Sequence, residues 1–316
     1  MSALIQVEGL KKYFETKSGI LHAVDGVSFS IEEGKTLGVV GESGCGKSTL
    51  GRTILHLLNP TGGKIYFDGK DITNPDKRQL KQLRREMQMI FQDPYASINP
   101  RMSVSEIIGE PLIIHKLVRS KQEYKAKVKE IMDTVGLSQR YEMSYPHELD
   151  GGRRQRIGIG RALAVDPRFI VCDEPVSALD VSIQAQILNL MQDLQRERGL
   201  TYIFITHDLS VVRHISDDIM VMYLSVCVEK APAKELFRQQ YHPYTKALIS
   251  AIPQIDIDNR GKRIIMRGEL ASPINPPETC RFAPRCNEAC DVCNKGVPPL
   301  RELTTGHFVS CFGVQH

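Results

Sequence analysis

The stretch "KTLGVVGESGCGKSTLGRTILHLL", residues 35–58, constrains the fold more than any other part of the chain. It opens as a short apolar run of strand length, breaks into a Gly-rich turn, and continues with apolar residues at helical spacing. A buried strand feeding a helix through so tight a turn belongs to an α/β sheet. Residues 41–49, "GESGCGKST", fit the pattern G-x-x-x-x-G-K-[ST] in the strand-to-helix context that the pattern requires. Gly41, Gly44 and Gly46 allow backbone N–H groups to turn inward onto phosphate oxygens, and Glu42, Ser43 and Cys45 fill the variable positions. The helix N-terminus adds its positive dipole end. Lys47 supplies a fixed charge for the β- and γ-phosphates, Ser48 a hydroxyl for Mg²⁺, and Thr49 a further contact.

Two more apolar runs end in polar residues, where open α/β sheets bind ligands. "RFIVCDEP" (168–175) ends in Asp173, suited to hold Mg²⁺, and Glu174, suited to polarise an attacking water. "TYIFITHD" (201–208) ends in His207. Between the first run and these lies an insertion, about residues 88–160, of mostly helical pattern, including "SVSEIIGEPLIIHKL" and "KQEYKAKVKEIMDTVGL". The basic run "KRQLKQLRRE" (77–86) reads as a solvated helix face. With a net charge of only +4, the chain has no charge-based case for nucleic acid.

No apolar run nears the roughly 20 residues that span a bilayer. "IMVMYLSVCV" (219–228) reads as one buried strand, and "MSALIQVEGL" lacks the pattern of a signal peptide. The expectation is a cytosolic protein which, if it works at a membrane, does so from one face, through partners. From about residue 240 the texture becomes Pro-rich and loop-like. There Cys280, Cys286, Cys290, Cys293 and Cys311 crowd together, whereas Cys45, Cys172 and Cys227 are scattered. In a cytosolic protein such a cluster reads as metal binding before disulfides. The spacing C-x5-C-x6-C-x17-C of Cys280, Cys286, Cys293 and Cys311, with Cys290 extra, suits zinc or an iron–sulfur cluster. Its expected role is to fold a segment too small and proline-rich to hold itself.

The phosphate loop, Gln92 in "MIFQDP", "LDGGRRQR" (149–156), "CDEPVSALD" (172–180) and "ITHD" (205–208) follow one another in a fixed order. In this the chain resembles the nucleotide-binding subunits of ABC transporters over about residues 3–255. The resemblance implies a P-loop ATPase of residues 1–240, with a RecA-like α/β core and an inserted helical subdomain at about 88–160, followed by a C-terminal region, 241–316, carrying the cysteines. "FQDPYASINPRMSV", "HPYTKALISAIP" and "SPINPPETCRFAPRC" are similar to the ATP-binding subunits of dipeptide, oligopeptide and nickel importers, and the first to the F-type subunit of that pair. What this implies is ATP and Mg²⁺ as ligands, with Tyr13 stacking on adenine, Gln92 contacting Mg²⁺ or water, His207 on the γ-phosphate, and Asp180 in a loop crossing between two subunits. It also implies a second related ATPase subunit, two membrane permease subunits gripped by the helical subdomain, an external solute-binding protein, and a place on the cytoplasmic face of the cell membrane. The resemblance favours a [4Fe–4S] cluster on the cysteines, with zinc as the alternative. Peptide is the expected cargo, although an ATPase that never touches the cargo leaves nickel or another small solute open. A nucleic-acid-associated ABC ATPase is the remote alternative; a single cassette without sustained heptads speaks against it.

The signature departs from the family's Leu-Ser-Gly-Gly-Gln: it reads Leu149, Asp150, Gly151, Gly152, Arg153. In the family each ATP lies between one subunit's phosphate loop and the other's signature, so these residues form half of a shared site. Asp is a good N-cap, so the helix start is expected to survive, but an ionised carboxylate donates no proton to a phosphate. The favoured reading is asymmetry, in which Asp150 weakens the partner's site while this chain's own half-site works. The other is compensation, in which Arg153 offsets Asp150.

Overall fold

The computed structural model describes residues 3–252, 264–269 and 271–314. Pro253, the last residue of "HPYTKALISAIP", and the remainder of the C-terminal region lying at 253–263, 270 and 315–316 are outside the described residues. The chain divides into two units, one of residues 1–31, 36–73 and 206–316, the other of 32–35 and 74–205.

In the first unit, strands Ala3–Thr16, Gly19–Glu32, Gly62–Phe67 and Lys70–Asp71 belong to a four-stranded sheet. Ala3–Thr16 pairs antiparallel with Gly62–Phe67 in the register Ile5 to Phe67 and Val7 to Ile65. Alternate residues Ile5, Val7, Ile65 and Phe67 are buried, the period-2 pattern of a sheet with one face in the core. The phosphate-loop strand Thr36–Val40 is buried along its whole length and runs parallel to Asp218–Tyr223, Val40 opposite Val221. Such two-faced burial calls for a continuous apolar run, which this strand has.

Two expectations are corrected here. Residues 219–228 are not one strand: Asp218–Tyr223 and Val226–Pro232 pair antiparallel, with Val226 opposite Tyr223. Leu224 and Ser225 both take positive φ, +39° and +73°, so the chain reverses between them without a glycine to signal it. The region after residue 240 is also not merely loop-like. Helix Pro243–Ser250 follows its N-cap His242, and strand His307–Val309 pairs with Val226–Pro232, Glu229 opposite Val309. Tyr244 and Phe282 are buried in one apolar cluster with Tyr223 and Val228. Glu229, fully buried, accepts from the N–H of Tyr241 at 2.8 Å and of His242 at 3.1 Å, and its other contact is the His307 ring at 2.8 Å. Among the described residues the segment is thus held by apolar burial and by contacts to a satisfied buried carboxylate.

The second unit carries parallel strands Met87–Ile90, Phe169–Asp173 and Thr201–Ile205, with Met87 opposite Phe169 and Phe169 opposite Thr201. Its helices include Lys77–Glu86, of which only Leu83 is buried, as a solvated basic face requires. Val104–Ile114 and Lys121–Thr134 carry the insertion's helical pattern: Val104, Ile107 and Ile108 are buried at i, i+3 and i+4, and Val128, Ile131 and Met132 at the same spacing.

His242 is 2% exposed, and its Nδ1 accepts from the Tyr244 N–H at 3.1 Å. Burial holds its pKa down at about 4; Glu229 opposes this and Lys246 adds to it. The unfolded chain protonates near 6.5, so it binds more protons than the folded one between 6.5 and 4, and stability falls as pH drops through that window. The expected loss is on the order of 3 kcal/mol across it. In urea titrations at several pH values, His242→Asn, which keeps a capping oxygen, should flatten this dependence; the same slope as wild type would contradict it.

Candidate active site

The phosphate loop leaves Val40 through Gly41 at φ +153° and closes through Gly46 at φ +97°. A Cβ on Gly41 would strike the carbonyl oxygen of Met222, and one on Gly46 that of Ala23, so both positions need glycine for space as well as for angle. Helix Lys47–Ile54 starts at once, with Gly46 as its N-cap and no side-chain cap on the first N–H groups. A helix start of this kind presents its first N–H groups to an anion. Lys47 is 5% exposed, and its ammonium donates to the carbonyls of Gly41 at 2.7 Å and Glu42 at 2.9 Å. Its charge is thereby fixed at the loop rather than free on a flexible stem. Ser43 and Gly44 form the exposed rim, Ser48 and Thr49 are half-buried on the helix, and Cys45 is buried. Burial raises the Cys45 thiol's pKa despite nearby Lys47, so Cys45 is a packing residue. This cradle fits the phosphates of a nucleotide.

Tyr13 lies on the long first strand. Its ring stacks on His22, centroids 4.0 Å apart, and its O–H donates to Asp25. Asp25 also meets the His22 ring nitrogen at 3.0 Å and the Arg281 guanidinium. Burial would raise the Asp25 carboxyl, but the hydrogen bonds from His22, Tyr13 and Arg281 outweigh it and bring it to about 2. Tyr13 is therefore a ring held by its hydroxyl, with one face taken by His22.

His207 is exposed just beyond strand Thr201–Ile205, followed by Asp208, which caps helix Leu209–Ile215 by accepting from the Ser210 N–H. In the second unit Asp173 is fully buried at the end of its strand. Glu174, the next residue, sits at φ +48°, a left-handed conformation rare outside glycine. Its N–H donates to Ile205 O at 2.9 Å, and its carboxylate accepts from the Gln92 amide at 2.9 Å. Strain of this kind persists where the surroundings over-determine it, and it aims the carboxylate. Gln92 and Glu174, 82 residues apart, are thus brought together.

Asp150 caps helix Gly151–Leu163 by accepting from the Arg153 N–H at 2.8 Å, as expected of the signature. Its second oxygen pairs with the Arg153 guanidinium, which also lies over the Tyr141 ring. Gly151 is half-buried and Gly152 buried. Asp180 is exposed ahead of helix Val181–Arg198, with no side-chain capping bond.

Of the C-terminal cysteines, Cys293 is buried, Cys280, Cys286 and Cys311 half-buried and Cys290 exposed. Burial raises Cys280 to about 11, with Cys293 and Cys311 adding to it. Burial likewise raises Cys286 and Cys311, again with neighbouring thiols contributing. One contact joins the extra cysteine to the set, Cys290 Sγ to Cys293 Sγ at 3.4 Å. Among the described residues no group of three or more Cys, His, Asp or Glu is placed to hold a metal. The thiols of Cys280, Cys286, Cys293 and Cys311 thus lie near one another.

Residues to which sequence reasoning gave no role are Asp25, His22, Tyr244, Arg281 and Arg285. Arg281 and Asp25 are 256 residues apart and Arg285 and Glu42 243, so no local pattern could reveal the pairs.

Residues 24–177 match the family model of ABC transporters, and residues 228–293 that of the oligopeptide/dipeptide transporter C-terminal region. The dipeptide transport ATP-binding protein DppF of Haemophilus influenzae is 50% identical, covering 98% of this chain and 97% of its own length. The putative oligopeptide transport ATP-binding protein YkfD of Bacillus subtilis is 50% identical over 98% of this chain and 94% of its own. Among solved structures, the ATP-binding cassette MJ0796, a dimer bound to ADP and Pi, aligns with a TM-score of 0.66 at 29% identity, over 72% of this chain and 98% of that one. CbiO1 from Clostridium perfringens, part of the ABC transporter complex CbiONQ, aligns with a TM-score of 0.67 at 27% identity, over 76% and 92%. Matches of this extent, on a phosphate cradle of this geometry, place the chain in the family of ABC transporter ATP-binding subunits, on the ABC ATPase fold.

Proposed function

We propose that this chain is the ATP-hydrolysing subunit of a peptide importer, of the dipeptide or oligopeptide kind. The observation that carries the reading is the fixed Lys47 ammonium at a glycine-closed helix start, in a chain half identical to dipeptide transport ATP-binding proteins over nearly its whole length. Gly41–Thr49 hold the phosphates, and Tyr13 offers the face not taken by His22 to the adenine. Ser48 and Asp173, with Gln92, would hold Mg²⁺, which supplies charge neutralisation for the departing phosphate. Glu174 acts as general base on the attacking water, its carboxylate oriented by Gln92, and His207 contacts the γ-phosphate. Catalysis is then positioning and electrostatics.

The chain works beside a second related ATPase subunit, each contributing a signature to the other's nucleotide, with Asp180 in the crossing loop. The domains are an ATPase of residues 1–240 and a C-terminal region of 241–316. The helical insertion meets two permease subunits; exposed Tyr95, Ile113, Ile114 and Met143 give it an apolar surface for them. No helix among the described residues is long and apolar enough to cross a membrane, which accords with a peripheral subunit on the cytoplasmic face. A solute-binding protein outside selects the cargo.

The Asp150–Arg153 pair alters the physical basis of asymmetry. Arg153 already neutralises the carboxylate locally, so the weakness of the partner's site rests on the missing donor hydroxyl rather than on repulsion. The test is ATPase turnover of the chain assembled with its membrane subunits and second ATPase. Glu174→Gln should lower it by about a hundredfold or more. Substantial residual turnover would mean that the partner's site works despite Asp150, and would contradict asymmetry.

We also propose that Cys280, Cys286, Cys293 and Cys311 carry a [4Fe–4S] cluster, with zinc as the alternative. Support comes from the convergence of these thiols, which must rearrange to bind. Anaerobic purification should yield a brown protein containing iron and sulfide. A colourless protein, with zinc or with no metal, would contradict the cluster.

A further inference from the structure

The segment "CRFAPRC", residues 280–286, places an arginine at each end of a turn whose middle is anchored in the core. Phe282 is 3% exposed, with its ring centroid 5.1 Å from that of Tyr223 and 5.4 Å from that of Tyr244. Arg285 reaches the phosphate loop, where its guanidinium donates to the Glu42 carboxylate at 2.7 Å. The side chains in this pair are 10% and 25% exposed, so solvent screens it far less than a surface pair. Tyr244, from the same region, accepts the Glu42 N–H at 2.9 Å. Glu42 in turn offers its carbonyl to the Lys47 ammonium. The C-terminal region therefore grips Glu42, a loop residue bonded through its side chain, its N–H and its carbonyl, and the last of these holds the phosphate-binding cation.

Arg281 reaches the other end. It donates to Leu224 O at 2.6 Å and pairs with Asp25, the acceptor of the Tyr13 hydroxyl. Its side chain is 8% exposed. Asn275 and Pro273 add backbone bonds to the strand carrying His22: the His22 N–H donates to Pro273 O at 3.0 Å, and the Asn275 N–H to Ile20 O at 2.9 Å. His22 is the ring beneath Tyr13.

We propose that Arg285 and Arg281 are positioning residues of the nucleotide site: Arg285 fixes and neutralises Glu42 in the phosphate loop, and Arg281 fixes the Tyr13 ring through Asp25. The proposal rests on Gly41–Thr49 and Tyr13 being the ATP site. It gives the C-terminal region a task at the nucleotide that no motif assigns to it, and it needs no metal.

The experiment is calorimetric titration of the full chain with ATP and Mg²⁺, alongside a thermal unfolding curve without nucleotide. Arg285→Met should weaken ATP binding by about tenfold, the factor that about 1.4 kcal/mol represents. In a Glu42→Gln background the same substitution should cost much less, because the carboxylate left unpaired by it is gone; losses that do not add identify a pair in contact. Arg281→Met should likewise weaken binding in wild type and do little after Tyr13→Ala. Unchanged ATP affinity in a folded Arg285→Met chain, or the same loss in both backgrounds, overturns the proposal. If Arg285→Met does not fold, the Glu42→Gln/Arg285→Met pair decides. Folding with near-normal ATP affinity supports the coupling, and either a folded pair with lost affinity or a pair that does not fold overturns it. A folded wild-type chain that binds no ATP would instead sink the nucleotide-site reading.

Discussion

Everything at the nucleotide end depends on how closely the loop after Val40 approaches two carbonyl oxygens, those of Met222 and Ala23. Neither Gly41 nor Gly46 has space for a Cβ. That contact sets where the helix begins, hence where its first N–H groups point and where Lys47 must place its ammonium. The residues supplying the walls come from a distance: Ala23 from the second strand, Met222 from the strand parallel to the loop's own. A fold able to bring two strands against one glycine turn is the condition for binding phosphate there.

The second unit stores its chemistry differently. Glu174 is not a flexible side chain awaiting a substrate; its backbone is left-handed and its carboxylate already accepts from Gln92. Asp173, one residue earlier, is fully buried. Two adjacent carboxylates are separated in environment by a single backbone reversal, which suits one to hold a cation and the other to meet water. Asp150 fits the same economy of local geometry: one oxygen caps a helix and the other pairs with Arg153.

Much of this was legible in the sequence because it is local. The phosphate loop, the strand ending in Asp173 and Glu174, and the capping role of Asp150 are each written within a few consecutive residues, where spacing dictates conformation. Residues 219–228 misled because their turn uses Leu224 and Ser225 instead of glycine, so the apolar run concealed a hairpin. The C-terminal region misled because its prolines read as loop, while its anchors, Phe282 in an aromatic cluster and Glu229 beneath His242 and His307, depend on distant strands. The arginines at 281 and 285 carry no periodicity at all; their roles exist only once the chain has folded back on its beginning.

The measurement that tests the central claim most directly is ATP affinity of the full chain with Lys47→Met, which keeps the buried stem and removes the charge. The account predicts that binding is lost by a factor of about ten or more, as expected when a charge-assisted contact to phosphate is removed, while the unfolding midpoint without nucleotide stays close to wild type. Unchanged ATP affinity in the folded variant would contradict it, and would place the nucleotide elsewhere than on the loop Gly41–Thr49.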